Sequence, residues 1–163
     1  MNNSISLIGM AGAGKSSVGL ELAKQLKLHF IDSDALIEAK FNQTLQNILD
    51  NSGYLKLRDI EEETILSIEF DNSILATGGS AVYSTRAMQY LKKNSLVIYL
   101  KVPFDQILKR VPSFLDRGFA KEPNQSIEDA FQERQALYVE SAHHIILNTD
   151  DLSSCVTKIL SLL

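Results

Sequence analysis

The sequence predicts an α/β domain, a parallel β-sheet covered by helices on both faces. Three observations predict it. Short apolar runs of strand length alternate with longer stretches of helical periodicity along nearly the whole chain. The first three apolar runs end in residues suited to turns and ligand loops: Gly9, Asp32-Ser33-Asp34 and Gly78-Gly79. The length, 163 residues, suits one core and one domain spanning 1–163. Alternating strands and helices imply parallel pairing. Right-handed crossovers then bring every strand's C-terminal end to one edge, where sheets of this class bind ligands.

The elements follow in order. Ile5, Leu7 and Ile8 read as a buried strand ending at Gly9. After a Gly-rich loop, Val18, Leu22 and Leu26 share one face of a helix. Leu28 to Ile31 reads as the second strand. From Ala35 to Phe70 the pattern is helical, with breaks expected near Asn42 and at Ser52-Gly53. Ile74 to Thr77 is the third strand, Thr85 to Lys93 a helix, and Leu96 to Leu100 the clearest strand. Phe104 to Val111 is helical. Residues 112–124 contain Pro112, Gly118 and Pro123 with mixed charge and read as a mobile loop. Ile127 to about Ser141 is helical, His144 to Leu147 the last strand, and Leu152 to Leu163 the last helix.

Composition narrows the function. Apolar residues make up 45% and charged residues 22%, and the net charge is −4. This balance suits a soluble protein and argues against a nucleic-acid binder, which would present a basic stripe. No run approaches the roughly 18 apolar residues of a membrane span. The opening MNNSISLIGM lacks a basic segment and meets Gly-rich sequence within ten residues, against a signal peptide. The single cysteine, Cys155, fits a reducing compartment. A cytoplasmic monomer acting on a small molecule is expected.

The strongest motif is Gly9-Met10-Ala11-Gly12-Ala13-Gly14-Lys15-Ser16, which fits G-x-x-x-x-G-K-[ST] between a strand and a helix. Glycines let successive backbone N–H groups converge on one anion, and the following helix adds its positive dipole end. Gly12, Ala13, Gly14, Lys15, Ser16 and Ser17 are the candidate ATP-binding residues. Lys15 would reach the β- and γ-phosphates, and the Ser16 hydroxyl would ligate Mg²⁺.

Other candidates are less distinctive taken singly. Asp32 and Asp34, two apart in an extended stretch, point to one side. Beside a phosphate loop they suit metal coordination or proton transfer; alone, Ser33 or Asp34 would be read as a helix cap. Arg58 and Glu61 share a helix face at i, i+3, the spacing of an ordinary surface ion pair as well. Arg134 is equally compatible with pairing to Glu133 or Glu140. His143-His144 lacks further ligands nearby, Cys155 reads as packing, and the five tyrosines are too scattered for a stacking platform.

In order, the loop, Asp32-Ser33-Asp34, Leu57-Arg58-Asp59-Ile60-Glu61, Ala76-Thr77-Gly78-Gly79 and Glu133-Arg134-Gln135-Ala136-Leu137-Tyr138 resemble the shikimate kinase family, from about Ile5 to Ile146. The resemblance implies a three-layer P-loop fold. Its five-stranded parallel sheet has the order 2-3-1-4-5, a substrate-binding helical region lies at about 33–61, and a lid at about 111–124. It implies phosphorylation of the 3-hydroxyl of shikimate by MgATP in aromatic amino-acid biosynthesis. By similarity, Asp34 binds the substrate hydroxyls and acts as base, and Asp32 holds Mg²⁺. Arg58 and Arg134 grip the carboxylate, Glu61 orients Arg58, and Gly78 and Gly79 contact the substrate. Arg110 lies along the adenine, and Arg117 is the lid arginine that reaches the transferring phosphate.

The chain departs from the family pattern at three places. Ser80 replaces a third glycine, Leu57 replaces an aromatic residue, and the lid reads Arg117-Gly118-Phe119-Ala120-Lys121 in place of Arg-Pro-Leu-Leu. Two other readings are a kinase for another small hydroxylated acid, such as gluconate, and a weakly catalytic nucleotide-binding paralogue.

Overall fold

Each apolar run read as a strand forms one in the computed structural model, which describes residues 3–163. The strands are β1 (Ile5–Ile8), β2 (His29–Asp32), β3 (Ser73–Ala76), β4 (Leu96–Lys101) and β5 (His144–Leu147). The helices are α1 (Lys15–Leu26), α2 (Ser33–Phe41), α3 (Leu45–Leu66), α4 (Thr85–Asn94), α5 (Phe104–Arg110), α6 (Ile127–Ser141) and α7 (Leu152–Leu160), with a 3₁₀ turn at Ala81–Tyr83. All strand pairs are parallel, and the order is β2-β3-β1-β4-β5, as the resemblance implies. Strand β1 is central and every residue of it is buried, because helices cover both faces.

Register places the ligand loops. Leu7 and Asp32 both pair with Ala76. The segments after β1, β2 and β3 therefore emerge side by side at one sheet edge.

Local chemistry sets the breaks. Asp32 is the last residue of β2 and also caps α2, its carboxylate accepting from the N–H groups of Asp34 and Ala35. The cap is thus neither Ser33 nor Asp34. Asn42, at φ 51°, ends α2, at the break expected there. Gly53, at φ 82° and ψ 167°, splits α3 into two helical segments at the other expected break. The pattern ends at Leu66, four residues short of Phe70, because Ser67 caps the last turn.

The main core lies on both faces of the sheet. A second cluster joins Ile37, Leu45, Ile48, Leu57, Ile60 and Ala120. It ties α2 and α3 to the irregular segment 111–126. Leu57 is only 1% exposed within it, which accounts for an aliphatic residue at that position. The irregular segment is pinned to α3 by Gly118 N–H, which donates to Gln46 Oε1 at 2.8 Å, and is braced within itself by Phe114 packing edge-on against Phe119. Among the described residues no helix is long and apolar enough to cross a membrane.

Candidate active site

The loop after β1 needs glycine at two places where it turns towards the ligand edge. Gly12 (φ 82°) and Gly14 (φ 91°) are left-handed, and a Cβ on Gly14 would meet Asn148 Nδ2 at 2.9 Å. That same Asn148 nitrogen donates to the Ala13 carbonyl at 2.8 Å, tying the loop to the end of β5. The Lys15 Nζ donates to the carbonyls of Gly9 (2.7 Å) and Met10 (2.8 Å). Burial lowers its pKa to about 8, against the opposing pull of Asp34 and Asp32.

A cleft of about 340 Å³ opens over this loop. Gly12, Gly14, Lys15, Ser16, Ser17, Asp32 and Arg110 line it, as do Asp34, Gly79 and Arg117. Arg110 reaches back from α5, donating Nη2 to the Asn148 carbonyl at 2.7 Å. Ala13 differs from the other loop candidates: its methyl is buried in the core, and its N–H donates to the Met10 carbonyl at 3.0 Å.

Ser16 and Asp32 meet at the mouth of α1, the hydroxyl donating to Asp32 Oδ2 at 2.7 Å. Both are hard oxygen donors on one side of the phosphate loop, the kind of set that holds Mg²⁺ together with substrate phosphates and water.

Asp34 comes into the site by a different route from the one its spacing suggested. It sits in the first turn of α2, not in extended chain, and helix geometry aims it inward. Its Oδ1 is buried without a hydrogen-bond partner. Burial raises its pKa to about 6, while Lys15 pulls it down. Arg117, Gly79 and Asp34 also line a smaller neighbouring space, joined by Glu61, Ser80, Phe119, Ala120 and Arg134. Arg117 therefore borders both the nucleotide loop and this space. Lys121 instead lines a separate cavity beside Gln46 and Phe114.

Arg134, from α6, lines this smaller space, and Arg58, from α3, reaches the Ala120 carbonyl at its edge. Arg134 is 1% exposed. Each donates its Nη2 to one acceptor, the Ala120 carbonyl, at 3.1 and 2.7 Å, and the Nε of each is buried without a partner. Glu61 does not orient Arg58 through an ion pair; the three ion pairs among the described residues lie elsewhere. Its Oε2 accepts from the Ser80 hydroxyl. Burial, with Asp34 adding to it, raises the Glu61 pKa to about 8.

The Gly78 expectation changes. Its N–H is already used, donating to Ser33 Oγ at 3.0 Å. Glycine is required there because a Cβ would collide with Glu61 and approach Asp34 Oδ1 to 2.7 Å. Gly79 lines both spaces, and its carbonyl accepts from Tyr138 Oη. At the third position, Ser80 does not crowd the space, because its hydroxyl turns to Glu61.

Three contributors are not among the residues read from the sequence: Tyr54, Tyr83 and Ala120. The Arg58 guanidinium lies 3.7 Å from the Tyr83 ring centre and 5.0 Å from that of Tyr54. Two of the five tyrosines thus face one arginine. Tyr54 stands four residues before Arg58 on the same helix, a local spacing, whereas only long-range folding brings Tyr83 to it. The Nδ1 of His143, which reads as structural, accepts the Val97 N–H at 2.9 Å.

Residues 11–163 match the family model described as shikimate kinase. The chain belongs to the shikimate kinase family. A shikimate kinase of Clostridium botulinum (strain Eklund 17B / Type B) is 36% identical, the match covering 98% of this chain and 96% of the relative. Among solved structures, the shikimate kinase of Acinetobacter baumannii in complex with shikimate is 32% identical with TM-score 0.88, covering 98% of this chain and 92% of the other. The shikimate kinase of Aquifex aeolicus is 26% identical with TM-score 0.85, covering 97% and 94%. Family membership agrees with the sheet order and with the placement of the phosphate loop at the ligand edge.

Proposed function

We propose that this chain transfers the γ-phosphoryl group of ATP to the 3-hydroxyl of shikimate, giving shikimate 3-phosphate and ADP, in aromatic amino-acid biosynthesis. The observation that carries the acceptor is the pair Arg58 and Arg134, whose guanidinium groups meet at the Ala120 carbonyl, with Arg134 lining the same space as the unpartnered Asp34 Oδ1. Two planar guanidinium forks suit a carboxylate, and an unsatisfied buried carboxylate oxygen suits a hydroxyl donor. One hydroxylated carboxylic acid satisfies both. Family membership supports shikimate as that acid.

In this reading the loop N–H groups and Lys15 hold the β- and γ-phosphates. Ser16 and Asp32 would hold Mg²⁺, which neutralises phosphate charge when bound. Asp34 accepts the proton of the attacking hydroxyl as its oxygen bonds to the γ-phosphorus and the bond to the bridging oxygen of ADP breaks. Gly79 lies against the acceptor and Arg110 beside the nucleotide base. Arg117, bordering both spaces, lies where charge develops on the transferring group, and such an arginine is worth roughly 10³ or more in related phosphoryl transfers. The protein acts as a cytoplasmic monomer on a small molecule.

The test is a coupled ADP-release assay with ATP and Mg²⁺ and, in turn, shikimate, quinate and gluconate. Shikimate-dependent turnover is expected, and Arg58→Ala chiefly raises the shikimate KM. Turnover on gluconate but not shikimate, or ATP binding without transfer to any acid, rejects the proposal.

A further inference from the structure

Tyr83 belongs to none of the motifs that carry the family resemblance, yet its ring faces both arginines of the acceptor side. It ends the 3₁₀ turn Ala81–Tyr83, immediately after the Gly78-Gly79-Ser80 segment. Its ring centre is 3.7 Å from the Arg58 guanidinium and 5.4 Å from that of Arg134. Each guanidinium meets one further ring: Tyr54 for Arg58, at 5.0 Å, and Phe119 for Arg134, at 4.0 Å. Tyr83 is therefore the ring the two cations share.

Two like charges gathered at one carboxylate site repel each other, and burial strengthens the repulsion. A shared aromatic ring presents its negative face to a cation and offsets part of that cost. The ring is itself fixed, because Tyr83 Oη donates to Glu133 Oε1, on α6 beside Arg134. Glu61, the other candidate for orienting Arg58, is engaged by Ser80.

We propose that Tyr83 is a positioning residue that sets the spacing and plane of Arg58 and Arg134 for the acceptor carboxylate. Tyr83 can do this only if the two arginines grip that carboxylate, as proposed above.

The test compares Tyr83→Leu, which keeps apolar volume without a ring face, with Tyr83→Phe, which keeps the ring. Tyr83→Leu raises the shikimate KM about tenfold, leaves the ATP KM unchanged and moves kcat less than twofold. Tyr83→Phe restores the shikimate KM to within about threefold of the parent. In an Arg58→Ala background Tyr83→Leu adds much less than tenfold, because the pair acts as a unit. A Tyr83→Leu enzyme whose shikimate KM stays within twofold overturns the assignment. So does a Tyr83→Phe enzyme no better than Tyr83→Leu, or an ATP KM that rises in step with the shikimate KM. An Arg58→Ala enzyme with unchanged shikimate KM instead removes the acceptor reading itself.

Discussion

Asp34 is where competing electrostatic pressures meet on one proton. Burial favours its neutral form and Lys15 favours its charge, and the balance leaves its pKa at about 6. Lys15 is pushed the other way, to about 8. A base must be deprotonated and a phosphate-binding lysine protonated. The kcat/KM for shikimate should therefore rise with pH through about 6, and that for ATP should fall above about 8. Asp34→Asn should abolish the acid limb and lower kcat by at least about 10². Steady-state kinetics from pH 5 to 9 check both; an Asn variant of near-parent kcat removes the base role. The sequence marked Asp34 through its place after a strand. It did not show that a helical turn aims the side chain, or that burial tunes it, because both depend on distant packing.

At the scale of elements, α3 shows how one residue divides a helix. Gly53 adopts φ 82° and ψ 167°, a region essentially reserved for glycine, and a Cβ there would touch nothing within 4 Å. Gly53→Ala should therefore cost about 1–3 kcal/mol through backbone strain alone. Equilibrium urea unfolding measures it, and a loss below about 0.5 kcal/mol would mean the kink relaxes freely. The segment beyond the kink carries Leu57, Arg58 and Glu61, so its direction governs which of them face the site. Breaks at Asn42 and Gly53 were legible because αL and glycine chemistry is local. The anchorage of the irregular segment 111–126 was not. It rests on Gly118 N–H reaching Gln46 and on Ala120 joining the cluster of Ile37, Leu57 and Ile60.

At the scale of the molecule, burial of Glu61 makes stability depend on pH. Its pKa rises from an ordinary 4.5 to about 8 in the fold. Such a group contributes stability fully below its unfolded pKa and loses it as pH rises through the folded value. The native state is therefore penalised at Glu61 as pH climbs from about 4.5 to 8. Glu61→Gln removes the ionisation. Its melting temperature relative to the parent should improve from pH 5 to about pH 8 and level off above that, as thermal unfolding at several pH values will show. A relative melting temperature that worsens with pH would mean that the charged carboxylate is held by the arginines more strongly than burial opposes it. The sequence by itself determined the alternation of strands and helices, the phosphate loop and the family motifs. These are written in local periodicity and in residue types at fixed spacing. Tertiary structure alone decided that Asp32 meets Ser16, that Ser80 holds Glu61, and that the Tyr83 ring faces two arginines from different helices. Each of those contacts joins residues whose separation along the chain is closed only by the packing of the sheet and its helices.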